Sequence, residues 1–365
     1  MKKIVICGGH LTPALALIEG LENRKNIEIL FFGRMFTTEG SKSLSAEFRI
    51  ITGRNISFIP ITAGRLQRKF TKYLFLSLLK IPVGFIQSLL YLLIKRPNLI
   101  ISFGGYLSVP VVYCGWLLGI ESIAHEQASV PGLATRINSP ITERIFLTWQ
   151  QSAEFFDDKK AAVIGNLTRK SISNISAKSQ NIRFFLKSNK KFILVLGGNQ
   201  GSHFLNNMIY HNVGLLNKYS ILHQIGTANW ENDWGKAKKI KNTHYFAVDY
   251  INPEDIAAVL QESMLVISRA GANTIWDLGI FKKPSVLIPL PASSGGEQFS
   301  NAKILENAGM AKIYNQDEIN SHNLSSIIEE AISNLSKYKK AADKFYKNMK
   351  INGLEQFIKY LENII

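Results

Sequence analysis

Short apolar runs, each followed at once by a glycine-containing turn and a helical pattern, constrain the fold of this chain most strongly. This order occurs after Ile4–Cys7, after Phe192–Leu196 and after Met264–Ile267. Apolar runs of this length are typical of buried parallel strands, and strands that alternate with helices imply right-handed crossovers. The pattern therefore predicts an α/β protein built on parallel sheets.

Both halves of the chain follow this plan. Further buried strands are predicted at Ile27–Phe32, Leu99–Phe103, Ser122–His125, Arg144–Leu147, His223–Ile225 and Ser285–Ile288. A chain of 365 residues favours two domains over one. We expect a Rossmann-like domain at 1–166, completed by a C-terminal helix at 345–365, and a second at 167–344. The two would face each other across a cleft, with ligands at the carboxyl ends of both sheets.

The turn after Met264–Ile267 predicts a nucleotide site. Unpaired backbone N–H groups and the positive end of a helix dipole make such a turn suitable for a phosphate. Asp277, inside the following helix, would repel a phosphate but suits a sugar diol, because an ionised carboxylate accepts two hydroxyl hydrogens. A phosphate turn with a carboxylate that reads a ribose describes a nucleotide-binding site.

The net charge of +16 favours a polyanionic partner, either a nucleic acid, an anionic membrane or a phosphorylated substrate. A nucleic-acid recognition motif is not evident, so we expect no nucleic-acid partner. Cys7 and Cys114 stand far apart, which argues against a disulfide framework or a cysteine zinc site and fits a reducing cytosol. No acid pair spaced for Mg²⁺ is evident either, and we expect neither a metal nor a cofactor.

Residues 73–94 form a long apolar stretch with Lys80 as its single charge. Its length would permit a membrane-spanning helix, but Pro82 and Gly84 interrupt it and a basic cluster precedes it. Such a pattern favours helices lying on an anionic leaflet, with ordinary core helices and a true span as alternatives. The residues expected to face the membrane are Arg65, Arg68, Lys69, Lys72, Leu76, Leu79 and Phe85.

Several ordered segments are similar to those of one glycosyltransferase family. They are Gly8–Ala16, Gly104–Pro110, His125–Gln127 with Pro131–Ala134, Gly197–Gly201, Ser268–Asp277, and Ile288–Pro291 leading to Glu297-Gln298 and Asn301-Ala302. One glycine turn alone is weak evidence, whereas these segments in this order are specific. The chain resembles the MurG family, peripheral-membrane enzymes of the GT-B fold that transfer N-acetylglucosamine to lipid I in peptidoglycan synthesis.

The resemblance implies a UDP-N-acetylglucosamine site in the second domain. The residues it assigns to this donor are Arg169, Asn199, Gln200, Ile251, Ala272, Asn273, Thr274, Asp277, Glu297 and Gln298. The Ile251 backbone would pair with uracil, Asp277 would read the ribose, and Glu297 with Gln298 would read the sugar hydroxyls. Arg169 would neutralise the diphosphate or secure the turn between the domains.

The resemblance also implies a lipid-linked diphosphate acceptor in the first domain. Its contacts would come from Gly8, Gly9, Gly104, Gly105, Tyr106 and Ser108. Tyr106 is equally interpretable as a ring that covers the sheet edge. His10 is the expected catalytic base, because its unperturbed pKa lies nearest neutrality, and Glu126 is the rival. His125 is expected to orient the loop.

Four positions depart from the family pattern. The first glycine loop is shorter than the family's Gly-Gly-Thr-Gly-Gly-His, Asn199 replaces a serine, Ala128 replaces an asparagine and Asp277 replaces a glutamate. These departures bear on the acceptor and on the nucleotide geometry, not on the fold.

The expected reaction is a metal-independent inverting transfer at the cytoplasmic face of the membrane, with lipid I as the acceptor. The rivals are a related transferase that uses another lipid such as diacylglycerol, a soluble UDP-sugar epimerase or hydrolase, and a non-catalytic binding protein.

Overall fold

The computed structural model describes residues 1–24, 26–36, 44–64, 72–169, 175–291, 293 and 296–365, with side chains between 72 and 95 described from Leu79 onward. The strands are β1 Lys2–Cys7, β2 Ile27–Gly33, β3 Ser57–Pro60, β4 Leu99–Ser102, β5 Glu121–Glu126, β6 Arg144–Leu147, β7 Ala161–Val163, β8 Ile193–Leu196, β9 Ile221–Gln224, β10 Tyr245–Val248, β11 Leu265–Ser268, β12 Ser285–Leu287 and β13 Ala311–Ile313.

The α-helices within the described residues fill the connections between these strands. They are α1 Leu11–Leu21, α2 Ala46–Thr52, α3 Lys72–Lys95, α4 Ser108–Leu117, α5 Leu133–Asn138, α6 Gln180–Ser188, α7 His203–Tyr210, α8 Asp233–Lys239, α9 Ile256–Glu262, α10 Ala272–Ile280, α11 Glu297–Asn307, α12 Leu324–Ser333, α13 Leu335–Lys347 and α14 Gly353–Ile364.

The chain divides into two compact units, Met1–Arg169 with Lys350–Ile365, and Lys170–Met349. Over the described residues, the first unit contains a seven-stranded sheet in the order β3-β2-β1-β4-β5-β6-β7, and the second a six-stranded sheet in the order β10-β9-β8-β11-β12-β13. The neighbouring strands of both sheets are parallel. The α/β class predicted from the alternating pattern is therefore confirmed.

Both faces of the first sheet are covered, which explains why its strands are continuously apolar. Along β1, Ile4 and Ile6 join one core cluster with α1, while Val5 and Cys7 join a second cluster on the opposite face with Leu92 of α3. These four side chains have 0% exposure. The consecutive apolar residues of β1 are therefore explained by burial on both faces of the sheet.

Helix α3 runs continuously from Lys72 to Lys95 with Pro82 inside it, so the expected interruption by Pro82 and Gly84 is wrong. Although a proline removes one backbone hydrogen bond, contacts with the chain after β3 hold this region. A Cβ on Gly84 would lie 2.9 Å from the Thr62 carbonyl oxygen, and the Thr62 N–H donates to Gln87 Oε1 at 2.7 Å. Of the helices that the described residues form, none combines the length and hydropathy needed to cross a bilayer.

Helix α14 belongs to the first unit although it ends the chain. Phe357 and Leu361 have 0% exposure within the cluster of Ile4 and Ile6. Gly353 begins the helix against the turn that leaves β7, where a Cβ would lie 2.7 Å from the Asn166 carbonyl oxygen. The segment 345–349, expected to leave with this helix, stays with the second unit.

We expect Phe357→Ala to lower the free energy of unfolding by about 3–5 kcal/mol, because it removes a fully buried ring and leaves a cavity. Urea unfolding followed by circular dichroism measures the change. Phe184→Ala, at a ring that is 72% exposed, is the control and should change the free energy of unfolding by less than about 0.5 kcal/mol. An equal effect of both variants would contradict the docking of α14.

Candidate functional site

In the first unit, the turns after β1 and β4 lie side by side. The two strands are parallel neighbours, with Cys7 opposite Ser102. The strand order reverses between them, since β2 and β3 follow on one side of β1 and β5 to β7 on the other side of β4. Ligands of such sheets bind outside the carboxyl ends of the strands at this switch point. The predicted acceptor residues therefore occupy the expected place in the fold.

The two turns approach each other so closely that only glycine fits. The Gly9 N–H donates to the Gly104 carbonyl at 2.9 Å. A Cβ on Gly8, whose φ is +132°, would lie 2.6 Å from the Gly104 oxygen, and one on Gly105, whose φ is +75°, would lie 2.7 Å from the Gly9 nitrogen. The shortened first glycine loop thus still packs main chain against main chain.

A hydrogen bond to the Phe103 carbonyl holds His10 in one tautomer. Its Nδ1 lies 2.8 Å from the Phe103 carbonyl oxygen. A carbonyl oxygen only accepts, so Nδ1 carries the hydrogen and donates it, and in the neutral ring Nε2 is left as the acceptor. The ring is partly exposed. This arrangement suits a general base that takes a proton at Nε2.

Glu126 is placed to order a loop. It is 2% exposed, its Oε1 accepts from the Ala128 N–H at 3.1 Å, and its Oε2 accepts from the Gly132 N–H at 3.2 Å. Both carboxylate oxygens therefore serve the loop before α5. These bonds favour His10 over Glu126 as the base.

Ser108 and Tyr106 lie directly after the glycine turn that follows β4. The Ser108 hydroxyl has 0% exposure, donates to the Gly105 carbonyl at 2.9 Å and accepts from Asn138 Nδ2 at 3.0 Å. Tyr106 is partly buried against the core cluster around Val111. The expected acceptor contact of Ser108 is therefore replaced by a bracing role, and Tyr106 matches its alternative as a ring covering the sheet.

His125 and Arg169 position the chain where it leaves β7. His125 is 2% exposed, its Nε2 donates to the Gly165 carbonyl at 3.2 Å, and burial lowers its pKa to about 4. Arg169 donates from Nε to both oxygens of Glu19 on α1, at 3.0 and 3.2 Å. This pair engages the guanidinium inside the first unit, which favours the role of securing the turn over that of neutralising a diphosphate, and both roles stay predictions.

In the second unit, a cavity of about 640 Å³ opens where β8 and β11 end. These strands are also parallel neighbours, and the strand order reverses between them. The cavity gathers three of the segments singled out in the sequence: Gly197, Gly198 and Gly201 of the first turn, Gly271 and Thr274 at the start of α10, and Gln298 of α11. The cavity thus brings turn amides together with a polar side chain that can read a ligand.

Gln298 is oriented by the backbone of its own unit. Its Oε1 accepts from the Leu290 N–H at 3.0 Å, which leaves the amide NH₂ to donate to a ligand. Glu297 precedes it as the first residue of α11 but does not line the cavity. Of the pair expected to read sugar hydroxyls, Gln298 is the one placed there.

Asn199 and Gln200 are exposed at the tip of the turn after β8 and do not line the cavity. Their carbonyls accept from Thr227 N–H at 3.1 Å and Ala228 N–H at 3.3 Å. These bonds fix the turn against the segment after β9. The glycines on either side of them, Gly197, Gly198 and Gly201, line the cavity instead.

The residues expected at the nucleoside lie beside the cavity rather than in it. Ala272 and Asn273 open α10, and Asp277 follows beyond its first turn. Burial raises the pKa of Asp277 to about 7. The Ile251 N–H donates to Gln224 Oε1 at 3.1 Å, so the expected backbone pairing with uracil through this N–H is already occupied.

Arg269, which the sequence reasoning did not single out, lines the cavity. It is 9% exposed, and its guanidinium donates to Ser202 Oγ at 3.1 Å, to the Ile288 carbonyl at 3.0 Å and to Gln316 Oε1 at 2.8 Å. Burial lowers its pKa to about 10, which still leaves a cation at neutral pH. Within the described residues no carboxylate pairs with it. Its position directly after an apolar strand was the available signal.

The predicted membrane residues fall partly outside the described residues: Arg65, Arg68 and Lys69 lie there, as do the side chains of Lys72 and Leu76. Leu79 is 56% exposed. Phe85 is partly buried and packs against the core cluster that includes Val111 and Val112 of α4, and its membrane contact stays a prediction.

An apolar face of α3 continues from Leu79 along the helix. Val83, Ile86, Leu90 and Leu93 are between 41% and 60% exposed, and their spacing places them on one face. Trp116 and Leu117, at the end of α4, are 54% and 67% exposed.

Within the described residues, no group of three or more His, Cys, Asp or Glu side chains comes together as metal ligands.

Comparisons with known proteins agree with this geometry. Residues 7–147 match the glycosyltransferase family 28 N-terminal domain, and residues 192–359 match the glycosyltransferase family 28 C-terminal domain. A protein of Treponema denticola named "UDP-N-acetylglucosamine--N-acetylmuramyl-(pentapeptide) pyrophosphoryl-undecaprenol N-acetylglucosamine transferase" is 36% identical over 320 residues, which cover 84% of this chain and 81% of its own.

A protein of the same name from Clostridium botulinum is 32% identical over 366 residues, covering 98% of this chain and 99% of its own. The crystal structure of Acinetobacter baumannii MurG superimposes with a TM-score of 0.71 and 22% identity over 100% of both chains. This likeness confirms the fold class predicted from the sequence.

The raised pKa of Asp277 predicts a pH-dependent stability. In the unfolded chain an aspartate titrates near 3.9, and in the folded chain Asp277 titrates at about 7. The folded state therefore holds an extra proton between these values, and its stability falls as the pH rises from about 4 to about 7. Asp277→Asn lacks this loss, so its Tm relative to the parent should rise between pH 5 and pH 8.

Differential scanning calorimetry at both pH values measures this difference, with Asp317→Asn, at an exposed carboxylate of the same unit, as the control. A Tm difference for Asp277→Asn that stays constant with pH would show that this carboxyl titrates normally.

Proposed function

The chain belongs to glycosyltransferase family 28, and we propose that it transfers N-acetylglucosamine from UDP-N-acetylglucosamine to the muramyl 4-hydroxyl of undecaprenyl-diphosphate-linked N-acetylmuramyl-pentapeptide. This reaction converts lipid I to lipid II in peptidoglycan synthesis. The proposal is supported by the names of relatives that are similar along nearly the whole chain and by both family domains in their order.

We assign the donor site to the cavity of the second unit. A diphosphate needs hydrogen-bond donors and positive charge, and the cavity offers the amides of the Gly197–Gly201 turn with the Arg269 guanidinium. Because Arg269 is bonded only to neutral partners within the described residues, its charge is available to an anion. This chain's own cation therefore balances the charge that develops on departing UDP.

The other parts of the donor are assigned to neighbouring residues. Gln298 donates its amide NH₂ to a hydroxyl of the hexose, and the ionised Asp277 accepts hydrogen bonds from the ribose diol. The uracil lies beside Ile251, whose carbonyl remains as an acceptor once its N–H is bonded to Gln224. These roles need the ionised Asp277 carboxylate, so nucleotide binding should favour loss of the proton from this group.

His10 carries the chemistry on the acceptor side. The muramyl oxygen attacks the anomeric carbon from the face opposite UDP, the new C–O bond forms as the bond to UDP breaks, and the hydroxyl proton passes to His10 Nε2. The Phe103 carbonyl holds Nδ1–H at 2.8 Å and so keeps Nε2 ready to accept. A positioned base of this kind accelerates such a step by about 10²–10⁴-fold.

Turnover of lipid I with radiolabelled UDP-N-acetylglucosamine tests the function, with diacylglycerol as the competing acceptor. We expect a labelled product from lipid I alone and activity that persists in EDTA. His10→Ala should lower kcat by about 10²–10⁴-fold, because the base is lost, while UDP affinity stays at the parent value.

Arg269→Gln is the matched variant on the donor side and should instead weaken UDP binding. Exclusive use of diacylglycerol would overturn the acceptor, and epimerised UDP-sugar without transfer would overturn the reaction class. Equal loss of UDP binding in both variants would contradict the division of roles.

We further propose that the exposed face of α3 rests on the cytoplasmic face of the cell membrane. Leu79, Val83, Ile86 and Leu90 present apolar surface in one line, and the net charge of +16 favours an anionic leaflet. Trp116 and Leu117 are an exposed apolar pair on α4, the helix that packs against α3. Such a peripheral position would give the enzyme access to a lipid-linked acceptor.

We expect the double variant Ile86→Glu with Leu90→Glu to weaken binding to phosphatidylglycerol vesicles about tenfold or more, because it replaces apolar contact with negative charge. Vesicle co-sedimentation at low and high salt measures binding, and added salt should weaken the parent's binding. Phe184→Glu, at an exposed ring of the second unit, is the control. A double variant that binds vesicles like the parent would exclude this face.

A further inference from the structure

Trp230 is a large aromatic side chain that remains 49% exposed while lining the cavity of the second unit. Its neighbours there include Gly198, His203 and Gln298. Tryptophan combines a large apolar face with a polar N–H, which suits it to contact a ligand where it lines a cavity. The exposed face of the indole can pack against a ligand that has a flat apolar surface.

The backbone around Trp230 is held in a conformation that side chains disfavour. Asn229, Glu231 and Asn232 have φ values of 44°, 45° and 58°. Asparagine tolerates the left-handed region, but glutamate does so rarely. Strain of this kind persists only where the surrounding structure imposes it, and it concentrates at functional sites.

Specific bonds impose this conformation. Asn229 Oδ1 accepts from the Trp234 N–H at 2.9 Å, and Asn232 Oδ1 accepts from the Gly235 N–H at 3.3 Å. Glu231 Oε2 lies 2.9 Å from His203 Nε2, which joins the turn to the first residue of α7. The Asp233 carboxylate, with 0% exposure, holds His203 Nδ1 at 3.0 Å. The turn that carries Trp230 is thus fastened to the helix that begins at the phosphate turn.

The groups that line the cavity indicate which part of a UDP-sugar contacts the Trp230 indole. The phosphates go to the glycine amides and Arg269, and the electron-rich face of an indole repels an anion. The uracil lies beside Ile251, which does not line this cavity. The remaining part is the hexose, whose hydroxyls Gln298 reads and whose C–H face is apolar.

We propose that Trp230 is a specificity residue that stacks on the C–H face of the donor hexose. This assignment rests on the proposed function and adds to it a sugar contact from the turn 229–232. The indole supplies affinity for the hexose and none for UDP. Removing the indole should therefore weaken the binding of UDP-N-acetylglucosamine but not that of UDP.

Isothermal titration of UDP and of UDP-N-acetylglucosamine into the parent, Trp230→Phe and Trp230→Ala tests the proposal. Trp230→Ala should weaken UDP-N-acetylglucosamine about tenfold, since an aromatic contact contributes on the order of 1 kcal/mol, and leave UDP within about twofold. Trp230→Phe keeps a stacking face and should retain most of the affinity. Phe184→Ala, at an exposed ring of the second unit that does not line the cavity, is the control and should change the affinity for neither ligand.

Indole fluorescence gives a second readout. UDP-N-acetylglucosamine should change the emission of the parent, and Trp230→Phe should remove that change. Equal weakening of both ligands in Trp230→Ala, or of neither, would overturn the stacking on the hexose while leaving the proposed function intact. A parent that binds neither ligand would overturn the proposed function and this inference with it.

Discussion

Both half-sites depend on close contact between backbone segments. This contact is possible because the residues there are glycines, which have no side chain. Where the strand order reverses, two parallel neighbours end together and their turns must share one space. In the first unit Gly8 and Gly105 allow this. In the second unit the close contact is on the other side of β8: a Cβ on Gly201 would lie 1.9 Å from the Ile225 carbonyl oxygen, directly after β9. The amides of these turns thereby stay near the surface for a ligand.

Two arginines illustrate how burial alone does not define a binding group. Arg169 is paired with the Glu19 carboxylate, so its charge is already compensated. Arg269 is buried among carbonyl, hydroxyl and amide oxygens, which satisfy its donors without cancelling its charge. An anion bound in the cavity, as proposed above, would offset part of the free-energy cost of desolvating Arg269. This difference follows from the partners of each residue, which lie far away in the sequence.

The sequence predicted the strands and turns well because their signals are local. Apolar runs followed by a glycine-containing turn identify the strands β1, β4, β8 and β11. The site residues were predicted less evenly. His10 keeps Nε2 as an acceptor and Gln298 lines the cavity, so their roles stay predictions. The Ser108 hydroxyl is instead bonded to the Gly105 carbonyl, and the Ile251 N–H to Gln224. A side chain's hydrogen-bond partner is a tertiary property that residue type does not reveal.

The sequence by itself determined the α/β class, the two sheets, the glycine turns and the family, because each depends on residue types at fixed spacing. Only the tertiary structure decided that Arg269 lines a cavity with no carboxylate partner among the described residues, that Glu126 orders a loop and that Trp230 lines the same cavity as Arg269. The physical reason is that burial and pairing are set by distant segments meeting in space. A charge or a ring becomes functional only when those segments leave it without a competing partner.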